Sequence, residues 1–217
     1  MSDITLVIGN KSYSSWSLRP WLALRHAGID FTEVVVPLRR PETKAEILRH
    51  NPAGKVPVLK HGALTVWDSL AICEYANELR PDAGLWPDDR AARAVARAVA
   101  AEMHSGFQDL RQNCFMDLRQ ERRSEARLKA AAGDAARVQT LWRECRERFG
   151  AGGPFLFGRF TIADCMYAPV ATRFRTWGFE LDAAASAYVD AVYGHPAMRD
   201  WLAGAAAEPW VIEYDMG

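Results

Sequence analysis

The 217-residue chain carries no net charge, because 27 lysines and arginines balance 27 aspartates and glutamates. It has no block of like charge, so neither nucleic acid nor a membrane surface is an expected partner. No apolar run approaches the roughly 20 residues needed to span a bilayer. Met1-Ser2-Asp3 and the short run Ile4–Ile8 lack both the basic start and the roughly 7–15-residue apolar stretch of a secretory leader. A cytoplasmic protein is the expectation. Cysteine is scarce: Cys73, Cys114, Cys145 and Cys165 form no C-x-x-C pair and each falls in a helical apolar pattern, which predicts buried free thiols. Also missing are G-x-G-x-x-G, a Walker loop, H-E-x-x-H and G-x-S-x-G, and the five histidines are scattered. Nucleotide-dependent and metal-dependent enzymes are therefore not expected, and no metal site is.

What is present falls into two halves. Residues 1–80 alternate short apolar runs with helical patterns, which predicts a β-α-β-α-β-β-α unit. Ile4–Ile8 and Phe31–Val36 read as strands. Between them a helix carries Leu18, Trp21, Leu22 and Leu24 on one stripe and stops at Gly28. Pro41–His50 reads as a short helix with Ile47 and Leu48 turned inward, ended by Asn51-Pro52. Val56–Lys60 and Leu64–Trp67 read as a hairpin, and Asp68-Ser69 as the start of a helix to Leu79. Residues 81–88, with Pro81, Gly84 and Pro87, read as a linker. Residues 89–217 show no strand alternation. Val95, Val99, Met103, Phe107, Leu110 and Cys114 predict one long helix, and Val138, Leu141, Trp142, Cys145 and Phe149 a second. Thr161-Ile162-Ala163-Asp164 has capping-box spacing with Asp in place of Glu or Gln, and Phe160 precedes it as a candidate hydrophobic staple.

Three stretches are candidates for chemistry. The polar turn Lys11–Ser17 lies between the first strand and first helix, where ligands of open α/β sheets bind and a hydroxyl meets the positive end of a helix. A plain helix cap is the competing reading for its serines. The second is Asn51-Pro52-Ala53-Gly54-Lys55-Val56-Pro57-Val58-Leu59. If Val56-Pro57 is cis, the Val56 backbone is free to pair with an extended ligand as an added strand. The third is Asp68-Ser69, either a cap or a clamp for an ammonium or carboxylate.

In this order the three stretches resemble the cytosolic glutathione transferases, serine-type and zeta-like, across essentially the whole chain. The resemblance implies a thioredoxin-like N-terminal domain that binds glutathione and an all-helical C-terminal domain that supplies the electrophile site. In that family a Ser, Tyr or Cys after the first strand faces the glutathione sulfur. A cis-proline in V-P-x-L binds the cysteinyl backbone, and an acidic-Ser pair binds the γ-glutamyl end. Here the matching residues are Ser14, Val56-Pro57-Val58-Leu59 and Asp68-Ser69; Phe160–Asp164 resembles the family's later capping box. Ser14 is chosen because it lies fourteen residues before Gly28, with Ser12 and Ser15 as runners-up.

Lys55 is the first candidate for a glutathione carboxylate, Arg39 and Arg40 are alternatives, and Arg19 on the first helix is expected to pair with an acid. Trp16, Met103, His104, Phe107, Arg111 and Trp210 are candidates for the electrophile site, with core packing the competing reading for Met103 and Phe107, and Tyr214 a further candidate to close it. Trp16 stands where the zeta group has cysteine, which counts against a maleylacetoacetate isomerase. The resemblance also implies a homodimer, with small hydrophobic electrophiles as co-substrates. A glutathione-dependent isomerase and a transferase-like scaffold are the alternatives.

Overall fold

A computed structural model describes residues 3–214. Strand β1 (Ile4–Gly9) pairs in parallel with β2 (Thr32–Val36) and antiparallel with β3 (Val58–His61), which pairs antiparallel with β4 (Leu64–Trp67); the sheet order is β2-β1-β3-β4. Period-two alternation divides β1 between two faces. Ile4, Leu6 and Ile8 join the main core with Leu18, Leu22 and Ile72, which lie on α1 (Ser15–His26) and α3 (Ser69–Leu79). Val7 turns to the opposite face, where it packs with Val36, Val58 and Ile47 of α2 (Thr43–His50). This is the expected β-α-β-α-β-β-α order. One detail differs: Ile47 is buried, but Leu48 is 46% exposed, because α2 is only eight residues long and its inward stripe is one residue wide at that level.

Beyond residue 89 the described chain is helical: α4 (Arg90–Ser105), α5 (Gln108–Asn113), α6 (Glu125–Ala130), α7 (Ala132–Phe149), α8 (Ile162–Trp177), α9 (Ala183–Gly194) and α10 (Pro196–Ala207). Two isolated β-bridges in residues 155–159 are the exception. Helix α8 is the axis of this half. Every residue in it except Arg175 is buried, and it packs on α1, α4 and α9. A helix buried on all sides, with Asp164, Thr172, Arg173 and Thr176 among its buried residues, needs such a bundle around it. Among the described residues no helix is long and apolar enough to cross a membrane.

The single long helix expected over Val95–Cys114 is two helices. Gly106 ends α4, donating its N–H to the Glu102 carbonyl at 2.8 Å, and Phe107 then takes a left-handed conformation (φ 60°). A Cβ at Gly106 would lie 2.9 Å from the Glu102 oxygen, too close for an ordinary side chain. Arg111, on α5, folds back to donate to the carbonyls of Gly106 (2.8 Å), Met103 and His104, which satisfies the end of α4. The apolar period continues through the break because both helices face the same core, so the periodicity alone carried no sign of it.

Candidate active site

The turn after β1 is held by the far end of the chain. Glu208 accepts from the backbone N–H of Lys11 (2.7 Å) and Ser12 (3.3 Å), Trp201 Nε1 donates to the Lys11 carbonyl at 3.0 Å, and Ser12 Oγ donates to the Ala205 carbonyl at 3.2 Å. Burial pushes the Glu208 carboxyl up, against the pull of those two N–H donors. Ser12 is thus committed to structure. Ser14 is the N-cap of α1: its oxygen accepts from Ser17 N–H at 3.4 Å and its hydroxyl meets Ser17 Oγ at 2.8 Å. Ser15 Oγ accepts from Arg173 Nη2 at 3.1 Å. The three hydroxyls lie on adjacent turns and differ entirely in partners.

A cavity of about 700 Å³ opens beside this turn. It brings together Trp16, Lys55, Val56, Pro57, Asp68, Ser69 and His104 of the expected residues. The Val56-Pro57 bond is cis. Asn51 Nδ2 donates to the Lys55 carbonyl at 2.9 Å and so fixes the loop that leads into it. Asp68 caps α3, accepting from Leu70 N–H (2.9 Å) and Ala71 N–H (3.3 Å), and it does so at φ 75°, a strained backbone for a non-glycine residue. Its other oxygen meets His104 Nε2 at 3.1 Å, a link from α3 to α4 across the cavity mouth. Ser69 Oγ is buried without a protein partner. Leu38, Ile47, Asn51, Ala53 and Trp67 also line the cavity. Asn51 and Ala53 belong to the second candidate stretch, whereas nothing in the apolar residues Leu38, Ile47 and Trp67 distinguishes a cavity wall from a core.

The remaining candidates lie elsewhere. Met103 and Phe107 are buried in the core. Trp210 lines a separate cavity of about 290 Å³ with Arg40, beside β2 and α2. Tyr214 stacks on Phe115 at 3.8 Å, with Arg39 over its ring at 4.6 Å. Arg111 lies behind Trp16, 4.8 Å from the ring centre. Arg19 forms no acid pair: it is fully buried, all three guanidinium nitrogens lack a hydrogen-bond partner, and it stacks on Trp16 at 4.3 Å. All four cysteines are free and buried, and burial pushes Cys114 up to about 11, Cys145 to about 12, and Cys73 and Cys165 further, so no thiol of the chain is poised as a nucleophile. Among the described residues no group of His, Cys, Asp and Glu could hold a metal ion.

Residues 13–79 match the N-terminal domain of Glutathione S-transferase, and residues 120–204 its C-terminal domain. A maleylacetoacetate isomerase from Rhizobium meliloti is 33% identical over 187 residues, covering 78% of this chain and 82% of that one. A probable maleylacetoacetate isomerase from Caenorhabditis elegans is 39% identical over 100 residues, 46% of each chain. The chain spans about half the length of this and several other curated relatives it matches. A solved glutathione transferase homolog from Burkholderia, with bound glutathione, superposes with a TM-score of 0.70 over 94% of this chain and 99% of its own, at 24% identity, which establishes the shared fold. The chain belongs to the glutathione S-transferase family.

Proposed function

We propose that this chain is a glutathione transferase, which holds glutathione in the 700 Å³ cavity and activates its thiol as thiolate for attack on small electrophiles. The observation that carries the reading is the convergence of three separate stretches on one cavity: Trp16 from the turn after β1, Lys55–Pro57, and Asp68-Ser69. Val56 and Pro57 offer an extended ligand a backbone edge, Lys55 offers a cation, and Asp68-Ser69 open a helix with an unpartnered hydroxyl. Glutathione has two carboxylates, an ammonium and an extended backbone, and each finds a complement here. Residues 1–80 form the glutathione unit, 81–88 the linker and 89–217 the wall that presents the electrophile, with the whole acting as a cytoplasmic homodimer.

The thiol sits at the N-terminus of α1, facing Ser14. Lowering a thiol from about 8.5 by two units takes about 2.7 kcal/mol of preferential thiolate stabilisation. A hydrogen bond to a charged group supplies about 1.5–3 kcal/mol and a helix N-terminus about 0.3–1 more. The sulfur then forms the new bond at the electrophilic carbon, the leaving group departs with its electron pair, and the thiol proton has already passed to solvent. The protein contributes thiolate stabilisation and proximity, with no covalent attachment.

Calorimetric titration with glutathione, joined to ultraviolet titration of the bound thiol, tests this reading: binding with a thiol pKa below about 7.5 is expected. No binding at millimolar glutathione would return the chain to the scaffold reading. The likeness to maleylacetoacetate isomerases favours one second reading, in which the thiolate adds to and leaves a substrate double bond, and turnover of maleylacetoacetate without net glutathione consumption distinguishes it. Sedimentation at micromolar concentration checks the homodimer, whose natural faces include the unpaired β4 edge with Leu64 and Trp67 exposed.

A further inference from the structure

The geometry points to Ser17 as a positioning residue for the thiolate: its hydroxyl carries a chain of hydrogen bonds from the end of β1 through Ser14 to the glutathione sulfur. Ser17 is fully buried and stands at the third position of α1, three residues after the N-cap Ser14. In a capping box a side chain at that position reaches back to the N-cap N–H. Here it does not. The Ser14 N–H donates instead to the Asn10 carbonyl at 2.8 Å, and Ser17 Oγ accepts at 3.1 Å from the N–H of Gly9, the last residue of β1. A side chain released from the cap thus joins the sheet to the one hydroxyl that the proposed function needs.

The proton count sets the direction of the contact. A hydroxyl has one proton to donate and two lone pairs with which to accept. Among the described residues the Ser17 hydroxyl has one partner besides Gly9, the Ser14 Oγ at 2.8 Å. When Ser14 donates across that contact, the Ser17 proton has no acceptor, and an unused donor in a fully buried place is costly. When Ser17 donates instead, its own proton is satisfied and the Ser14 proton is freed. Of the two, only Ser14 has surface left, 6% against 0%, beside the cavity that its neighbour Trp16 lines. The freed proton therefore belongs to an acceptor from outside the chain.

A bound thiolate supplies that acceptor. The chain then runs from Gly9 N–H to Ser17 Oγ, from the Ser17 O–H to Ser14 Oγ, and from the Ser14 O–H to sulfur, with every donor used. The Ser17 N–H feeds the same Ser14 oxygen at 3.4 Å. Two donors into one oxygen polarise its O–H and hold it in one orientation, and a chain of this kind strengthens each bond by about 10–30%. The sulfur meets a stronger donor that is already aimed. The inference rests on the glutathione reading for the identity of the acceptor, and on the proton count for the direction of the contact between Ser17 and Ser14.

Ultraviolet titration of bound glutathione tests the relay. Ser17→Ala, which breaks the chain and keeps the Ser14 hydroxyl, should raise the thiol pKa by about half a unit and slow conjugation about three-fold at a pH below the wild-type thiol pKa. Affinity for S-methylglutathione, which has no thiol to ionise, should be unchanged, whereas a merely structural serine would move that affinity as well. In a Ser14→Ala background the same substitution should add nothing to the thiol pKa, because Ser17 reaches the sulfur only through Ser14. Where Ser17→Ala does not fold, Ser17→Cys, close in shape and a weaker donor, gives the same comparisons. A folded variant with an unchanged thiol pKa would overturn the proposal. So would a shift of equal size in the Ser14→Ala background, or a loss of S-methylglutathione binding. In each of those cases a wild type that binds glutathione with a lowered thiol pKa leaves the proposed function standing; a wild type that binds no glutathione defeats that function and the relay with it.

Discussion

Ser12, Ser14 and Ser15 lie within four positions, and their hydroxyls have three different occupations: a bond to Ala205, a cap on α1, and a bond from Arg173. Ser14 alone has only local partners, donating to Ser17 Oγ at 2.8 Å and accepting from Ser17 N–H at 3.4 Å, so turning its hydroxyl to a thiol at the helix N-terminus exchanges one short-range bond and breaks no tertiary contact. Ser14→Ala should therefore raise the pKa of bound glutathione by about one to two units and slow conjugation at pH 7 by about ten- to a hundred-fold, with affinity nearly kept. Its lost cap should also cost about 1 kcal/mol of stability in denaturant unfolding. Ser12→Ala should show a comparable stability loss and no change in thiol pKa. If Ser15→Ala moves the thiol pKa and Ser14→Ala does not, the thiol-facing hydroxyl is one residue further along. The turn itself was legible as a cluster of hydroxyls before a helix. Which hydroxyl is free was not, because the partners of Ser12 and Ser15 lie 193 and 158 residues away. Arg19 was misjudged for the same reason: on a helix a lone arginine reads as solvated or paired, and burial without a partner is a property of the packed fold.

Helix α8 shows what a local signal can and cannot tell. Its start was readable, because Thr161 and Asp164 stand at capping-box spacing, and Asp164 Oδ2 accepts from Thr161 N–H at 2.8 Å and Thr161 Oγ1 at 2.9 Å. Its other oxygen accepts from Leu156 N–H (3.1 Å) and Tyr188 Oη (3.0 Å), which ties the 150–158 turn and α9 to the same carboxylate. Those two bonds are tertiary and left no trace in the sequence. Asp164→Ala should then cost about 3–5 kcal/mol in urea unfolding, well above the loss of a surface cap, because four buried donors lose their acceptor at once. Asp164→Asn, which keeps one carbonyl acceptor, should cost less. A loss near 1 kcal/mol for Asp164→Ala would mean that the carboxylate acts as an ordinary cap. The break at Gly106–Phe107 is the converse case. An uninterrupted apolar stripe predicted one helix, and the two-residue interruption hides in it because Phe107 is itself apolar and buried.

Across the whole molecule the sheet half and the helical half are closed on each other by the last helix. Next to the Glu208 and Trp201 contacts, His26 of α1 and His195 at the start of α10 face each other, Nδ1 to Nε2, at 3.1 Å. His195 also stacks on Phe160 at 3.9 Å. Burial, then His26, then Arg199 push His195 down to about 4, and burial, then Arg159, lower His26. A base whose folded-state pKa is depressed stabilises the fold above its unfolded pKa, near 6.5, and loses that contribution as pH falls through the folded value. From pH 7 to pH 4.5 the unfolded chain gains a proton at His195 that the folded chain refuses, a stability loss of up to about 3 kcal/mol. Asp164 acts in the opposite direction, because burial pushes its carboxyl up to about 6 and the fold gains stability as that proton binds, so the wild-type curve alone understates the histidine effect. The difference between wild type and His195→Phe removes Asp164 from the account, since both proteins carry it. That difference, from urea unfolding at the two pH values, should shrink by about 2–3 kcal/mol on going to pH 4.5. An identical difference at both pH values would show that His195 titrates in the fold as it does in water, and that the contact between α1 and α10 is not what acid loosens.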